Sequence, residues 1–218
     1  MESPIPNRSW TNGQNADLIY TIGHSNNTME NFISLLRRHG ITAVVDVRSS
    51  PTSGYNPQFN GNALSVALRK EKIAYVFMGK ELGGRPDDPS DYENGRANYS
   101  RMADKPAFRE GIDRLIKNAA KYRMALLCAE KEPLECHRTI MVSRALHKSG
   151  INIKHILADG NIEDHKDTET RLVKSLGIKP NLFEPSSPAE LIEKAYNQQA
   201  IKIAYKPKHE KDNDECRE

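Results

Sequence analysis

The sequence has few cysteines and no long apolar run, and each absence excludes a class of protein. Three of the 218 residues are cysteine, too few for a disulfide framework, so we expect reduced thiols. No stretch approaches the roughly 18 apolar residues of a membrane span. The N-terminus lacks the basic-then-apolar pattern of a secretory signal. We therefore expect a cytoplasmic protein with no membrane partner.

An excess of either charge is also missing. Lysine and arginine total 32, aspartate and glutamate total 29, and the formal net charge is +3. This balance predicts no general attraction to nucleic acid, although a local basic cleft is compatible with it. No GxGxxG or Walker A pattern occurs, which argues against a dinucleotide or P-loop site. The length and the 37% of apolar residues are typical of one soluble globular domain.

The two ends of the chain carry no periodic pattern. Residues 1–16 are rich in Pro, Asn and Ser and predict a flexible leader, and residues 206–218 predict a disordered charged tail. Residues 17–205 alternate short apolar runs with helical spacings. The runs predict strands at 18–22, 42–47, 73–77, 124–128 and 152–157. The spacings predict helices at 28–40, 62–71, 106–122, 136–148, 168–176 and 188–199, and a long polar connection at 79–105.

This alternation predicts a single α/β domain, built on a mostly parallel sheet of about five strands with helices on both faces. In such sheets, ligands bind beyond the carboxyl ends of the strands. The residues that follow the predicted strands are mostly polar or reactive. They are His24, Ser25, Asp46, Arg48, Gly79, Cys128, Glu130, Asp159 and Gly160. We therefore expect the functional site at this edge of the sheet.

Five ordered segments resemble those of a known family. They are TIGHSNNTMENFISLL, VVDVRSSPTSGYNPQFN, YVFMGKELGGR, LLCAEKEPLECHR and HILADG. The chain resembles, over residues 17–172, the mostly bacterial domain-of-unknown-function family 488 (DUF488). The resemblance implies a small α/β domain whose motif residues gather in one pocket, and it implies no particular reaction. Family members often carry a basic residue where this chain has Gly54. If that residue contacts a substrate anion, this chain has either lost one contact or compensates for it with Arg48 and Arg85.

Two thiols, a carboxylate, an imidazole and a guanidinium fall within the segment CAEKEPLECHR, residues 128–138. One interpretation is a zinc site on Cys128, Cys136 and His137, with His24 as a fourth ligand. However, the spacing C-x7-C-H does not match the usual zinc knuckle. A second interpretation makes Cys128 a nucleophile or redox thiol, activated by the imidazole or by a helix start.

A third interpretation treats the cysteines as inert and the segment as one wall of an anion-binding pocket. The helix start and Arg138 would then hold the anion, and Glu130 or His137 would act as general acid or base. The alternative for Glu130 and Arg138 is a structural ion pair. We favour this interpretation and expect no metal. Asp46 and Arg48 flank Val47 and point the same way. Asp46 is therefore either an ion-pair partner or a second catalytic carboxylate.

The remaining glycines and aromatics complete the predicted site. Adjacent glycines in ELGGRP let the backbone approach a ligand closely, and the aromatic rings of Tyr55, Phe59 and Tyr75 offer faces for stacking. The alternative for these residues is an ordered turn and ordinary aromatics. The predicted catalytic candidates are Asp46, Cys128, Glu130 and His137. The predicted substrate-binding residues are His24, Ser25, Arg48, Tyr55, Gly83, Gly84, Arg85, Cys136 and Arg138.

Together these features favour an enzyme that binds a nucleotide-containing or other anionic substrate. The expected chemistry is hydrolysis or transfer at a glycosidic or phosphate bond. Two alternatives stay open. One is a non-catalytic module that binds nucleotide or nucleic acid, and the other is a cysteine redox or metal-dependent protein. The sequence specifies no cofactor, no substrate and no oligomeric state.

Overall fold

The structure is a computed structural model, and it describes residues 18–180 and 186–207. The expected leader, and the expected tail from residue 208 onward, lie outside the described residues. The strands are β1 (Leu18–Gly23), β2 (Ala43–Asp46), β3 (Ala74–Phe77), β4 (Tyr92–Glu93), β5 (Arg96–Ala97), β6 (Met124–Cys128), β7 (Asn152–Ile156) and β8 (Ile162–Asp164). The α-helices are α1 (Met29–Arg38), α2 (Gly61–Lys70), α3 (Gly79–Leu82), α4 (Tyr99–Asp104), α5 (Pro106–Ala119), α6 (Arg144–Lys148), α7 (His165–Ser175) and α8 (Pro188–Ile203).

Six strands form one sheet in the order β3-β2-β6-β1-β7-β8. The five predicted strands pair in parallel, and β8 adds an antiparallel edge beside β7. The predicted α/β class with a mostly parallel sheet is therefore confirmed. The predicted start of the first helix is also correct, because the Thr28 hydroxyl accepts a hydrogen bond from the Asn31 amide at 3.2 Å.

Helices cover both faces of the sheet, because successive strand residues point to opposite sides. Val44 belongs to the same hydrophobic cluster as Phe32 of α1 and Leu64 of α2. Its neighbour Val45 belongs to the cluster on the other face, with Ile112 of α5 and with α6 and α8. Burying each of these side chains stabilises the fold by roughly 1.5–3 kcal/mol. Within the described ranges, none of the helices combines the length and the apolarity that crossing a bilayer requires.

Two predicted segments differ from the structure. The connection at 79–105 is not a plain loop, because it contains α3, a small hairpin of β4 and β5, and α4. Asn94 and Gly95 both adopt positive φ (51° and 71°), which suits a tight hairpin turn. The helix predicted from 136 begins instead as a π-helix, Arg138–Ser143, and continues as α6. Such wide turns are frequent at functional sites.

The strand order brings the predicted site together. β6 lies between β1 and β2, and all three run in the same direction. The pairing continues past the strand ends, since the His24 amide donates to the Cys128 carbonyl at 2.9 Å and the Val47 amide donates to the Leu127 carbonyl at 3.1 Å. The chain segments that carry the predicted polar residues therefore leave the sheet side by side.

Candidate functional site

A cavity of about 450 Å³ opens at the carboxyl edge of the sheet. Its volume is in the range typical of small-molecule sites. Most of the predicted site residues line it. These are His24, Ser25, Arg48, Tyr55, Gly84, Arg85, Cys128, Glu130 and His137. Asp46, Gly83, Cys136 and Arg138 do not line the cavity, and they lie next to residues that do.

One cluster contains both thiols, a carboxylate and an imidazole. The potential ligand atoms of Cys128, Glu130, Cys136 and His137 all lie within 4.8 Å of one another. Glu130 Oε2 is 2.9 Å from the Cys128 sulfur and 3.0 Å from the Cys136 sulfur. The His137 Nδ1 atom is 3.7 Å from the first sulfur and 3.9 Å from the second. We call this group the thiol–carboxylate cluster.

The orientation of the His137 ring is fixed from two sides. Its Nε2 atom lies 2.9 Å from the Val47 carbonyl, which only accepts, so Nε2 carries the proton and Nδ1 of the neutral ring is left as an acceptor facing the sulfurs. Gly84 packs against the other side, because a Cβ there would lie 2.7 Å from the ring. The predicted close approach of the glycine pair is thus an approach to His137 and, for Gly83, to Ser49.

Burial and mutual contact shift the ionisation of the cluster. Burial raises the pKa of the Glu130 carboxyl, and the Cys136 sulfur raises it further. Burial also raises the pKa of the Cys128 thiol. Burial opposes ionisation of Cys136 too, but the hydrogen bond from Cys128 and the charge of Arg138 outweigh it and lower the pKa of Cys136. Cys136 is therefore the thiol that ionises more readily, and a thiolate is both a nucleophile and a metal ligand.

A second group lies beside the cluster and consists of Asp46, Arg48, His24 and Tyr75. The Arg48 guanidinium pairs with both oxygens of Asp46, at 2.8 and 2.6 Å, and the Tyr75 hydroxyl donates to Asp46 at 2.8 Å. Arg48 Nη1 lies 3.2 Å from His24 Nε2. Since arginine only donates, His24 carries its proton on Nδ1, which donates to the Ser25 carbonyl at 2.9 Å. Burial lowers the pKa of His24, which keeps the ring neutral at pH 7.

Arg138 occupies a different position from the one expected. Its side chain is fully buried, and its guanidinium donates to the carbonyls of Glu130 (2.7 Å) and Lys131 (3.4 Å). Gly23 leaves the space for this contact, since a Cβ there would lie 1.9 Å from the Glu130 carbonyl oxygen. The start of the π-helix also has its amides occupied, because Cys136 accepts from the amides of residues 138–140. Arg138 thus holds the Glu130 segment in place behind the cavity.

Twelve of the residues that line the cavity were not predicted from the sequence, and among them are Ser49, Tyr99, Lys131, Glu135 and Tyr205. Tyr99 comes from α4, and Tyr205 follows α8. The Arg85 guanidinium lies 4.9 Å from the centre of the Tyr205 ring. Lys131 and Ser49 also line the cavity. Ser49 and Lys131 lie inside two of the motifs noted in the sequence, and this was the available signal for them, whereas Tyr99 and Tyr205 lie outside the motifs.

The comparisons with known proteins agree with the resemblance noted from the motifs. The sequence model of a family described as "Domain of unknown function DUF488" matches residues 28–145, more than half of the chain. The match includes β2, β3 and β6 and both groups of polar residues except His24. Neither the curated proteins nor the solved structures that were compared with the chain gave a match.

Proposed function

The chain belongs to the DUF488 family, and we propose that this member is a hydrolase or transferase whose cavity binds a phosphate-bearing substrate such as a nucleotide. The observation that carries the proposal is the presence of two charged side chains of opposite sign in the cavity, neither of which is in an ion pair with a described residue. An exposed guanidinium, Arg85, and a half-buried carboxylate, Glu130, line the same cavity, and neither forms an ion pair with any other residue of the described ranges.

The cationic side chains of the cavity are arranged so that they can bind an anion. Arg85 is stacked on Tyr205, which restrains the guanidinium without neutralising it. Lys131 adds a second exposed positive charge at the same rim. Arg48 has two protons on Nη1 and uses one on His24, which leaves one directed donor among the described contacts. A phosphate bound here would receive charge-assisted hydrogen bonds from side chains that are already oriented.

Hydroxyl groups and aromatic rings suit the rest of a nucleotide. The segment after β2 lines the cavity with hydroxyls from Ser49, Ser50, Thr52 and Ser53. Hydroxyl groups both donate and accept, so they match sugar hydroxyls and phosphate oxygens. The rings of Tyr55, Tyr99 and Tyr205 line the same space and provide surfaces on which a base can stack.

The state of the carboxylates favours an enzyme over a binding module. A binding module would have both carboxylates locked in ion pairs. Asp46 is locked by Arg48, and we assign it the role of positioning that arginine. Glu130 forms no ion pair with a cation of the described residues, and its Oε2 atom accepts hydrogen bonds from the two thiols. We therefore assign the acid–base role to Glu130, which lines the cavity and can reach a bound substrate.

The proposal is tested by thermal unfolding in the presence of a ligand series. Inorganic phosphate, ribose 5-phosphate, a nucleoside and its monophosphate are added to the wild type, to Arg85→Ala and to Arg109→Ala. Arg109 is a matched control, because it is an exposed arginine paired with Asp104 and does not line the cavity. We expect the monophosphate to raise the midpoint of the wild type and of the control, and to leave Arg85→Ala unchanged.

Compounds that raise the midpoint are then incubated with the enzyme, and release of base, sugar or phosphate is followed. We expect Glu130→Gln to keep the midpoint shift and to lose turnover by roughly 100-fold or more, the range of a lost acid–base group. A midpoint that no phosphate compound raises contradicts the anion site. A shift that survives in Arg85→Ala contradicts the assignment of that residue.

A further inference from the structure

We propose that Cys128, Cys136 and His137 bind a zinc ion in the wall of the cavity, with Glu130 beside an open fourth position. The sequence spacing alone argued against this, because C-x7-C-H is not a zinc knuckle. The structure removes the objection, since β6 ends at Cys128 and the chain returns through a short 3-10 turn, Pro133–Glu135, to Cys136. Cysteines that are too far apart in sequence for a zinc knuckle are thereby brought close together in space.

The distances between the donor atoms fit a single ion. In a tetrahedral zinc site, sulfur ligands at about 2.3 Å and nitrogen ligands at about 2.05 Å are separated by about 3.6 Å. The His137 Nδ1 atom lies 3.7 and 3.9 Å from the two sulfurs. The two sulfurs themselves are within 4.8 Å of each other. The distances from Nδ1 to the sulfurs thus differ from the ideal by only a few tenths of an ångström, and the two sulfurs would be about 3.8 Å apart around the ion.

The imidazole is oriented as a metal ligand requires. A metal-binding histidine usually donates its second ring N–H to a backbone carbonyl or a carboxylate, which fixes the tautomer. His137 does this through Nε2 and the Val47 carbonyl, and its Nδ1 faces the sulfurs. His24, the alternative ligand considered from the sequence, is excluded, because its two ring nitrogens are occupied by Arg48 and the Ser25 carbonyl.

In its present position, Glu130 lies too close to the two sulfurs to be a fourth ligand of the same zinc ion. Its Oε2 atom is 2.9 and 3.0 Å from them, which is hydrogen-bonding distance to thiols. When an ion replaces the thiol protons, the carboxylate loses those donors and turns to a water at the fourth position. Three protein ligands with an open position are typical of catalytic zinc. Cys128, Glu130 and His137 all line the cavity, so that position faces a substrate.

The charge of the site supports a divalent ion of the zinc type. Zinc binds cysteines as thiolates, so two negative charges at the site offset the two positive charges of the ion. The Arg138 amide donates to the Cys136 sulfur at 3.4 Å, which is compatible with a thiolate there. Two thiolates and an imidazole select zinc over magnesium and calcium, which prefer oxygen ligands.

This inference goes beyond the proposed function and does not depend on it, because zinc binding is measured without a substrate. The full chain, without a polyhistidine tag, is expressed with added zinc, purified under reducing conditions without chelator, and analysed for metals. We expect about one zinc ion per chain for the wild type. Glu130→Gln should retain the ion, since we assign no coordination to Glu130.

The ligand variants and a matched thiol control identify the site. Cys136→Ser and His137→Ala should lose zinc affinity by roughly 100-fold or more, since even residues that only orient ligands cost 10–100-fold. Cys216→Ser removes the third cysteine of the chain and should leave zinc content unchanged. Titration of the chelator-treated wild type with Co²⁺ should give sulfur-to-cobalt charge transfer and the visible bands of tetrahedral cobalt.

The wild-type measurement decides the proposal even where a ligand variant fails to fold. A reduced wild type that binds neither Zn²⁺ nor Co²⁺ at micromolar concentration overturns it. Zinc binding that is unchanged in folded Cys136→Ser or His137→Ala also overturns it. Zinc binding without a midpoint shift from any phosphate compound would overturn the proposed substrate class and support the metal site. A midpoint shift from a phosphate compound without zinc binding would overturn the metal site and support the substrate class.

Discussion

Two groups of polar side chains lie next to each other at the carboxyl edge of the sheet, and they differ in how completely they satisfy one another. In the first group, both oxygens of Asp46 accept hydrogen bonds from Arg48, and Tyr75 adds one more. In the thiol–carboxylate cluster, Glu130 Oε2 accepts from two weak thiol donors, and the carboxylate forms no ion pair with a cation of the described residues. Both groups contain a carboxylate that the sequence marks as catalytic.

The comparison distinguishes polar residues that position other side chains from polar residues that can bind a ligand or react. A buried carboxylate whose two oxygens both accept from strong donors has little capacity left for a ligand, and its network makes the surrounding backbone rigid. A carboxylate at a cavity wall that accepts only from thiols still has that capacity. We therefore assign Asp46 to positioning Arg48, and the thiol–carboxylate cluster to ligand and substrate chemistry, although both groups have the residue types of an active site.

The largest expected effect comes from an isosteric pair of substitutions, Asp46→Asn and Glu130→Gln. Asp46→Asn leaves the buried guanidinium of Arg48 without its counter-charge, and we expect a loss of about 3–5 kcal/mol in the free energy of unfolding. Glu130→Gln keeps an acceptor oxygen for the thiols, and we expect a loss below about 1 kcal/mol. Urea unfolding followed by far-UV circular dichroism measures both values.

Each variant serves as the control for the other, because each exchanges one carboxylate oxygen for an amide group at the same edge of the sheet. Equal losses of stability in the two variants would contradict the distinction between a closed and an open group. A Glu130→Gln variant that is the less stable of the two would reverse the assignment.

A second buried network, of histidines whose ring nitrogens are paired with other side chains, makes the stability of the protein depend on pH. His155 Nε2 lies 2.9 Å from His165 Nδ1, Thr21 lies 2.8 Å from His155, and His165 lies 2.9 Å from the Tyr196 hydroxyl. Burial lowers the pKa of His165 to about 3, and burial together with His165 lowers the pKa of His155. The folded state therefore keeps these rings neutral, while the unfolded chain binds protons below about pH 6.5.

It follows that stability falls as the pH decreases below 6.5, and the contribution of His165 stops changing near pH 3. The slope for one histidine approaches about 1.4 kcal/mol per pH unit, or about 2 kcal/mol by pH 5. Urea unfolding of the wild type and His165→Gln at pH 7.5, 6 and 5 measures the contribution of His165 together with its effect on His155, because the titrating groups outside this network are common to both. Parallel pH profiles for the two proteins would refute the prediction.

The sequence predicts most of the fold because its signals are local. The β-branched run at 42–47 and the apolar run at 124–128 give the strands, and alternation of strands and helices gives the parallel sheet. The rule that ligands bind at the carboxyl ends then brings the motif residues to one edge. The hairpin inside 79–105 was missed, although Asn94-Gly95 is a strong turn signal, because its strands have two residues each.

Side-chain pairing at the site is less predictable, since it depends on the neighbouring strand and on rotamers. Asp46 is locked in part by Tyr75, which comes from β3 and is distant in sequence. Arg138 follows Cys136 closely in the chain, yet a π-helical turn directs its guanidinium behind the cavity. Residue types and their spacing therefore identify the site, and only the folded arrangement separates its active members from its supports.

The last prediction concerns the contact between Gly84 and the His137 ring of the thiol–carboxylate cluster. Gly84→Ala adds a Cβ at 2.7 Å from the His137 ring, and overpacking of this kind costs roughly 1–3 kcal/mol. Gly54→Ala is the matched control, because a Cβ there has no atom within 4 Å and the chain is exposed. We expect it to be neutral or to stabilise the protein by up to about 1 kcal/mol.

Urea unfolding measures both variants, and zinc titration shows whether the displaced ring still binds the ion. If Gly84→Ala behaves like Gly54→Ala in both measurements, His137 is held by the Val47 carbonyl alone and the glycine contributes no orientation to the cluster.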